Sequence, residues 1–282
     1  MNRLLPVRFF QSLSIAGRLG LLVSMFWLLM AMFGSQLAPH NIEDIGGGPL
    51  SGGFTADNWL GTDALGRDIL SRILYGAKFS IGLGLGAAIG ASLIGTLLAL
   101  LAAVTGRWLE AILGRVNDAM LVLPGKVLSL MIVAVFGSSL PMLLLTAIFT
   151  FWPGAFRIAF ALAGSLRNSD YVRASRLRGE SRWYIALHDI LPNMVHPMLA
   201  DFGLRFVYIV LLLSGLSFLG LGVQPPYADW GTLVRENIQG LFDGSPAVLM
   251  PALAIASLTI GANLFIDSLQ QMRPLTLAEE GV

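Results

Sequence analysis

Cysteine is absent from this 282-residue sequence, and histidine occurs only at His40, His188 and His196. The lack of cysteine excludes disulfides, thiolate metal sites and a cysteine nucleophile. Three scattered histidines do not have the spacing of a histidine-rich metal site. Charged residues make up 12% of the chain, against about 25% in a typical soluble domain. Together with 55% hydrophobic residues, this deficit of charge predicts a membrane protein.

Two further sequence motifs are absent, a phosphate-binding loop and a signal-peptide cleavage site. No GxxxxGK[ST] phosphate-binding loop is present, so we expect no ATPase site in this chain. The basic N-terminus is followed by a long apolar run without an A-x-A-like cleavage site. We therefore expect an uncleaved first span rather than a signal peptide.

Six apolar segments approach the roughly 20 residues that a membrane-crossing helix needs. Their apolar runs are continuous rather than alternating, which favours helices over strands. The segments are Leu19–Leu37, Phe79–Val104, Ile112–Phe136, Leu140–Ala163, Pro197–Leu221 and Ala247–Leu269. The third is the least regular, because Asp118, Pro124 and Lys126 interrupt it. We predict an all-α membrane protein with one transmembrane domain over residues 19–272, an N-terminal segment 1–18 and a tail 273–282.

The connections between these segments differ in charge. One set consists of the N-terminus, 106–111, 164–196 and the tail, and it carries most of the arginines: Arg3, Arg8, Arg18, Arg107, Arg115, Arg167, Arg173, Arg176, Arg178, Arg182 and Arg273. The opposite set, which includes the long loop 38–78, holds Arg67, Arg72, Lys78 and Arg235 among more numerous acidic residues. Because cytoplasmic loops are rich in Lys and Arg, the first set and both termini are predicted to be cytoplasmic.

Glycines and ionisable residues inside the segments indicate helix packing. Gly82, Gly86 and Gly90 recur every fourth residue and predict a smooth face for another helix, although glycine is common in membrane helices anyway. Ionisable residues within spans face protein or water rather than lipid. The candidates are Asp118, Lys126, Arg157, Arg205 and Asp267. For Asp118, Arg157 and Arg205, we favour snorkelling to the predicted cytoplasmic side.

The passage "DYVRASRLRGESRWYIALHDILPN" (170–193) is polar and rich in arginine. Asp170 is a predicted N-cap of a two-turn helix, Tyr171–Arg178, and Gly179 a predicted left-handed stop. Ser181 is a second predicted N-cap, for a helix that ends at Pro192.

A two-turn helix is unstable alone in water, so this protein or a partner must hold it. Arg173 and Arg176 share a face, while Ala174 and Ser175 are small enough for a groove wall to approach. The alternative is an ordinary positive loop that interacts with anionic lipid.

This passage resembles the cytoplasmic signature of permease subunits in binding-protein-dependent ABC importers. That signature is E-A-A, three residues, Gly, then a stretch that closes on L-P. Here it reads Arg173-Ala174-Ser175, Gly179 and Leu191-Pro192. Arg173 replaces the family's glutamate and Ser175 its second alanine, so a salt bridge from that glutamate is not expected here.

Two longer passages resemble dipeptide, oligopeptide and nickel permeases in particular. One is "WLGTDALGRDILSRILYGAKFS" (59–80) and the other is "LSFLGLGVQPPYADWG" (216–231). Asp63/Arg67 and Asp68/Arg72 are i,i+4 pairs with the acid first, and they predict an amphipathic helix at the outer interface. That helix would shape the substrate entrance, contact a binding protein or brace the surface. Trp230 is a predicted interface anchor.

The resemblance covers most of the chain and implies a type I ABC importer permease with six transmembrane helices. It implies that a coupling helix docks into an ATPase groove through Tyr171, Val172, Arg173, Ala174, Ser175, Arg176, Gly179, Leu191 and Pro192. It also implies a second permease, two ATPase subunits that bind ATP and Mg, an extracytoplasmic binding protein and a bacterial inner membrane. Apart from membrane lipid, no other partner, no nucleic acid and no cofactor in this chain are expected.

The substrate stays open at this point. Peptides are the first expectation, and nickel or another metal chelate, an opine or glutathione are the alternatives. An ion-driven secondary transporter is a different class, but only Asp118 and Asp267 would support it. A membrane hydrolase would need Ser214 or Ser217 beside His188 or His196, and these lie at opposite ends of the fifth span.

Overall fold

The computed structural model describes residues 13–42, 44–46, 48–242 and 244–271. The described part is all-α, as predicted, apart from one isolated bridge between Thr62 and Asp68. Arg3, Arg8, Arg273, the acidic residues Glu43 and Asp243, and the tail 273–282 lie outside the described residues.

The described helices follow one another along the chain with short connections. The first half contains α1 (Ile15–Leu37), α2 (Ile69–Thr105), α3 (Arg107–Val122), α4 (Gly125–Phe136) and α5 (Leu140–Leu166). The second half contains α6 (Asp170–Leu177), α7 (Arg182–Tyr184), a π-helical segment (Ile185–Ile190), α8 (Leu191–Phe218), α9 (Trp230–Glu236), a 3₁₀ turn (Ile238–Leu241) and α10 (Leu249–Gln271).

Five of these units are long and apolar enough to cross a membrane: Ile15–Leu37, Ile69–Thr105, Leu140–Leu166, Arg182–Phe218 and Leu249–Gln271. The predicted third span is instead a pair of helices, α3 and α4, bent by 86° at a short break. Pro124 stands at that break as the N-cap of α4, and its missing N–H and fixed φ favour an interruption of the helix there. Counting the pair as one span gives the predicted six.

Helix α2 is the central element of the bundle and packs most extensively against α5. A Cβ atom at Gly95 would lie 2.5 Å from Ala155 Cβ and 2.6 Å from the backbone N of Phe156. Gly86 and Gly90 face Leu144 and Ile148 of the same helix. The predicted glycine face is therefore used against α5, but Gly82 has no atom within 4 Å of its Cβ position and takes no part.

Helix α9 is held inside the predicted outer end of the bundle rather than at an interface. Trp230 is fully buried, and its indole Nε1 donates to the Ile73 carbonyl at 2.9 Å. The expectation that it anchors a membrane surface is wrong, because α9 inserts between α2 and α8. Asp229 caps α9 and accepts from Thr232 and from Ser217 Oγ, and burial raises the pKa of its carboxyl above the usual value.

We expect Gly95→Ala to lower the melting temperature of the detergent-solubilised protein, because the added methyl meets backbone and Ala155 at sub-contact distance. Overpacking of this kind costs about 1–3 kcal/mol. Gly82→Ala is the matched control on the same helix, and it should leave the melting temperature unchanged or slightly higher. Equal melting temperatures for the two variants would contradict the α2–α5 packing described here.

Candidate functional site

The candidate site begins with α6, the two-turn helix in the connection between α5 and α8. Its N-cap is Ser169, one residue before the predicted Asp170, and Ser169 makes no side-chain capping bond. Asp170 lies in the first turn instead, where a negative charge is favourable against the helix dipole. The prediction of the helix is right and the prediction of its cap is wrong by one position.

The end of α6 has the geometry that the sequence predicted for it. Gly179 has φ +81°, in the left-handed region. The Gly179 N–H donates to the Arg176 carbonyl at 3.0 Å, and the Glu180 N–H donates to the Ser175 carbonyl at 3.2 Å. These two bonds make a Schellman motif, in which a residue with positive φ satisfies the last carbonyls of a helix. The chain therefore turns sharply at Gly179 toward Ser181, which caps the next helix through the Tyr184 N–H at 3.1 Å.

Helix α6 has one buried and one exposed face. Val172 and Ser175 are almost fully buried, and Val172 belongs to an apolar cluster with Ile185 and Ile190. On the other face Tyr171 is 42% exposed and Leu177 is 90% exposed. The short helix is therefore held by the rest of this chain. This was one of the two possibilities that its length left open, the other being a partner protein.

The exposed face of α6 combines charge with apolar surface. Arg173 and Arg176 are both exposed, as is Ala174 between them. Arg173 lies 3.8 Å from Asp170, but both side chains are well exposed, so this pair contributes little. Ser175, which the sequence placed in a groove contact, is turned inward and accepts from Arg178 Nη2 at 2.8 Å.

Arginines on both sides of α6 tie it to the neighbouring helices. Arg182 donates to the Thr105 carbonyl at the end of α2, at 2.8 Å. Arg167 pairs with Glu110 of α3 at 3.2 Å. Arginine bonded to the last carbonyls of a helix also complements the helix dipole. A displacement of α6 would therefore be passed to α2 and α3 as well as to the helices directly before and after it.

Leu191 and Pro192 are not the end of a helix, so that expectation is wrong. Arg182–Phe218 is one continuous helical unit, with π-helical bonding over Ile185–Ile190. The Leu191 N–H donates to the Ala186 carbonyl, five residues back. The wider π turn places Pro192, which has no N–H to donate, just where π bonding changes to α bonding. Leu191 is half-buried and packs against the apolar cluster that also contains Val172 of α6, while Pro192 is exposed.

At the opposite end of the bundle, the predicted pairs at 63–72 do not lie on a surface helix. Helix α2 begins only at Ile69, with Asp68 as its N-cap accepting from Ser71 N–H at 2.8 Å. Asp63 lies in the turn before it, buried, and accepts from the Leu65 and Arg67 N–H groups. The i,i+4 spacing of Asp63 and Arg67 fits this turn as well as a helix, and their ion pair exists at 2.7 Å.

Arg72 pairs with Asp63 rather than with Asp68, at 2.7 Å. Both arginines also reach Glu236 at the end of α9, Arg67 at 3.1 Å and Arg72 at 2.8 Å. We call Asp63, Arg67, Arg72 and Glu236 the outer ion-pair cluster. It fastens the loop before α2, which is predicted to be on the outer side, to the segment after the fifth span. The sequence did not reveal Glu236, because no local spacing relates it to residues so far away in the chain.

Arg205 lies near the middle of α8 and is buried, not extended toward a membrane surface. Its guanidinium pairs with Asp201 at 2.6 Å and donates to the Phe151 carbonyl of α5 at 2.7 Å. Snorkelling is therefore the wrong explanation for Arg205. The sequence did contain a signal for this ion pair, because Asp201 and Arg205 are four residues apart with the acid first. Arg205 lines a cavity of about 570 Å³ between α4, α5 and α8, to which Lys126 and Tyr208 also contribute.

Comparisons with known proteins agree with this architecture. Residues 95–272 match the family model described as "Binding-protein-dependent transport system inner membrane component". The dipeptide transport system permease protein DppC of Alkalihalophilus pseudofirmus is 33% identical over 89% of this chain and 83% of its own length. The probable D,D-dipeptide transport system permease protein DdpC of Escherichia coli is 35% identical over 87% of this chain and 82% of its own length. The glutathione transport system permease protein GsiD of Pectobacterium atrosepticum is 32% identical over 86% of this chain and 81% of its own length.

We expect Asp63→Asn to destabilise the protein, because the amide keeps the acceptor for the Leu65 and Arg67 N–H groups but removes the charge that pairs with two arginines. Breaking a buried ion pair costs about 3–5 kcal/mol, and the lower end applies because Glu236 still contacts Arg72. The melting temperature in detergent measures the effect. Asp57→Asn, at an exposed position in the same loop, should change it by little. A melting temperature for Asp63→Asn equal to that control would show that the cluster does not hold the loop.

Proposed function

The chain belongs to the family of binding-protein-dependent transport system inner membrane components, and we propose that it is a permease subunit of an ATP-driven ABC importer of peptides. It is a multi-pass membrane protein with five long apolar helices and a sixth, bent pair. The observation that carries the proposal is the two-faced helix α6. Val172 and Ser175 fasten it to the bundle, while Tyr171, Arg173 and Leu177 stay uncovered.

Helix α6 would be the point where ATPase subunits act on the membrane helices. An exposed Leu177 beside two arginines suits a partner groove better than open water, since a partner buries the apolar surface. The partner's movement would pass through the π-helical segment into α8, and through Arg182 into α2. The bundle would then favour an outward-open or inward-open state according to the ATPase state.

The proposed complex contains other subunits, because one permease chain supplies only half of a translocation pathway and no ATPase site. Half of a translocation pathway requires a second, similar permease to complete it. Two ATPase subunits would bind ATP and Mg, and an extracytoplasmic binding protein would deliver the substrate at the end that carries the outer ion-pair cluster. We place the chain in a bacterial inner membrane, with α6 and both termini on the cytoplasmic side, on the distribution of arginine.

Peptides are the proposed substrate class, supported by relatives named for dipeptide and D,D-dipeptide transport. A relative named for glutathione transport is about equally similar, so the same machinery with glutathione as cargo is the second candidate. An ion-driven transporter is less well supported. Asp201 is neutralised by Arg205, and Asp118 and Asp267 are exposed rather than enclosed in the bundle.

Replacing Gly179 with Val tests the coupling role. A β-branched residue at φ +81° is strained, by about 1–3 kcal/mol, so α6 should lose its Schellman end and its fixed orientation. In proteoliposomes that contain the whole complex and its loaded binding protein, we expect peptide uptake per ATP hydrolysed to fall about tenfold.

Gly164→Val is the matched control. Gly164 lies inside α5 near the same end of the bundle, with no positive φ and no atom within 4 Å of its Cβ position. Its uptake per ATP should match that of the unmodified complex. Unchanged coupling in Gly179→Val, in a complex that assembles normally, would contradict the role proposed for α6.

A further inference from the structure

The break between α3 and α4 lies in the interior of the third span rather than at either end. Helix α3 ends at Val122 and α4 begins at Gly125, while the bent pair runs from Arg107 to Phe136. Pro124 provides no side-chain cap for α4. The N-terminus of α4 adds partial positive charge at this break.

The break faces a groove between α4 and α8. The cavity of about 570 Å³ described above includes Lys126, Thr150 and Gly154 on its walls. A second cavity, of about 290 Å³, shares Lys126, Leu211 and Leu212 with it and extends to Phe218 and Leu219 near the predicted outer end. The two cavities are neighbours with a shared wall at Lys126, Leu211 and Leu212, and we call them together the α4–α8 groove.

The two basic residues that line this groove, Arg205 and Lys126, differ in whether their charge is paired. Arg205 is buried and neutralised by Asp201 at 2.6 Å. Lys126 is exposed, and its ammonium forms no ion pair with a carboxylate in the part of the chain that the structure describes. Within the described residues, the groove thus carries one positive charge without a paired carboxylate, beside the N-terminus of α4.

Such a charge cannot face lipid. A lysine in the hydrocarbon centre is costly, and residues of this kind face water or another protein. The surface of α4 around Lys126 is therefore covered by a water-filled passage or by a neighbouring subunit. Tyr208 and Leu211 are exposed on the facing side of the groove.

We propose that Lys126 binds the C-terminal carboxylate of a peptide as it passes through the α4–α8 groove. This inference rests on the proposed function, since it identifies a specificity-determining residue of that same pathway. The C-terminal carboxylate is the one negative group that peptides share whatever their side chains. A single unpaired lysine on a mostly apolar wall recognises that group while the wall accepts varied side chains, and one charge contact is weak enough to release the cargo.

The test uses the whole complex in proteoliposomes, with its binding protein loaded with dialanine. Lys126→Gln should lower the rate of dialanine uptake about tenfold, because the carboxylate loses its charged partner. ATP hydrolysis stimulated by the loaded binding protein should persist. Lys126→Arg, which keeps the charge, should restore most of the uptake. Lys78→Gln, at an exposed lysine that lines neither cavity, is the matched control and should transport normally.

Each other outcome has a definite meaning. Full dialanine uptake by Lys126→Gln would overturn the assignment of Lys126 and leave the peptide function intact. A Lys126→Gln subunit that reaches the membrane but no longer co-purifies with the second permease would also overturn it, since the charge would then serve the interface between permeases. No dialanine uptake by the unmodified complex, despite normal assembly, would overturn the proposed peptide function and the assignment with it.

Discussion

The attachment of one face of α6 to the membrane bundle is the interaction on which the functional account depends. Eight residues of helix are too short to persist in water without tertiary support. Burial of Val172 and Ser175 against the π-helical segment supplies that support, and the Schellman bonds at Gly179 fix where the helix stops. The same attachment leaves the opposite face free. A partner that binds this face would act on a helix whose other face is packed against the long helices.

The bilayer explains much of the remaining arrangement. Ionisable residues within spans face protein or water rather than lipid, and two basic residues of the bundle meet this constraint in different ways. Arg205 pairs with Asp201 and a carbonyl of α5, while Lys126 stands at the break of the third span. At the predicted outer end, two arginines share Asp63 and Glu236. The outer ion-pair cluster and the contacts of α6 thus lie at the two ends of the bundle, and Lys126 lies between them.

The sequence predicted those features whose cause is local. Continuous apolar runs gave the spans, Gly179 gave the end of α6, and Pro124 with Lys126 marked the third span as irregular. It failed where one spacing fits two structures, as with Asp63 and Arg67, which pair across a turn and not on a helix. It failed at Pro192, because a π-helical segment lets a proline stand inside a long helix. Glu236 could not be predicted at all, because its partners are brought to it by the packing of α9 against α2.

Single-cysteine labelling measures the central claim directly, because the chain has no cysteine of its own. Leu177→Cys should react readily with a soluble maleimide in the isolated subunit, where position 177 is 90% exposed. In the complex assembled with ATPase subunits, the account predicts strong protection of that cysteine, while Trp108→Cys, at an exposed position on α3 at the same end of the bundle, stays reactive. Equal reactivity of Leu177→Cys in the isolated subunit and in the assembled complex would contradict the claim that the free face of α6 is the ATPase contact.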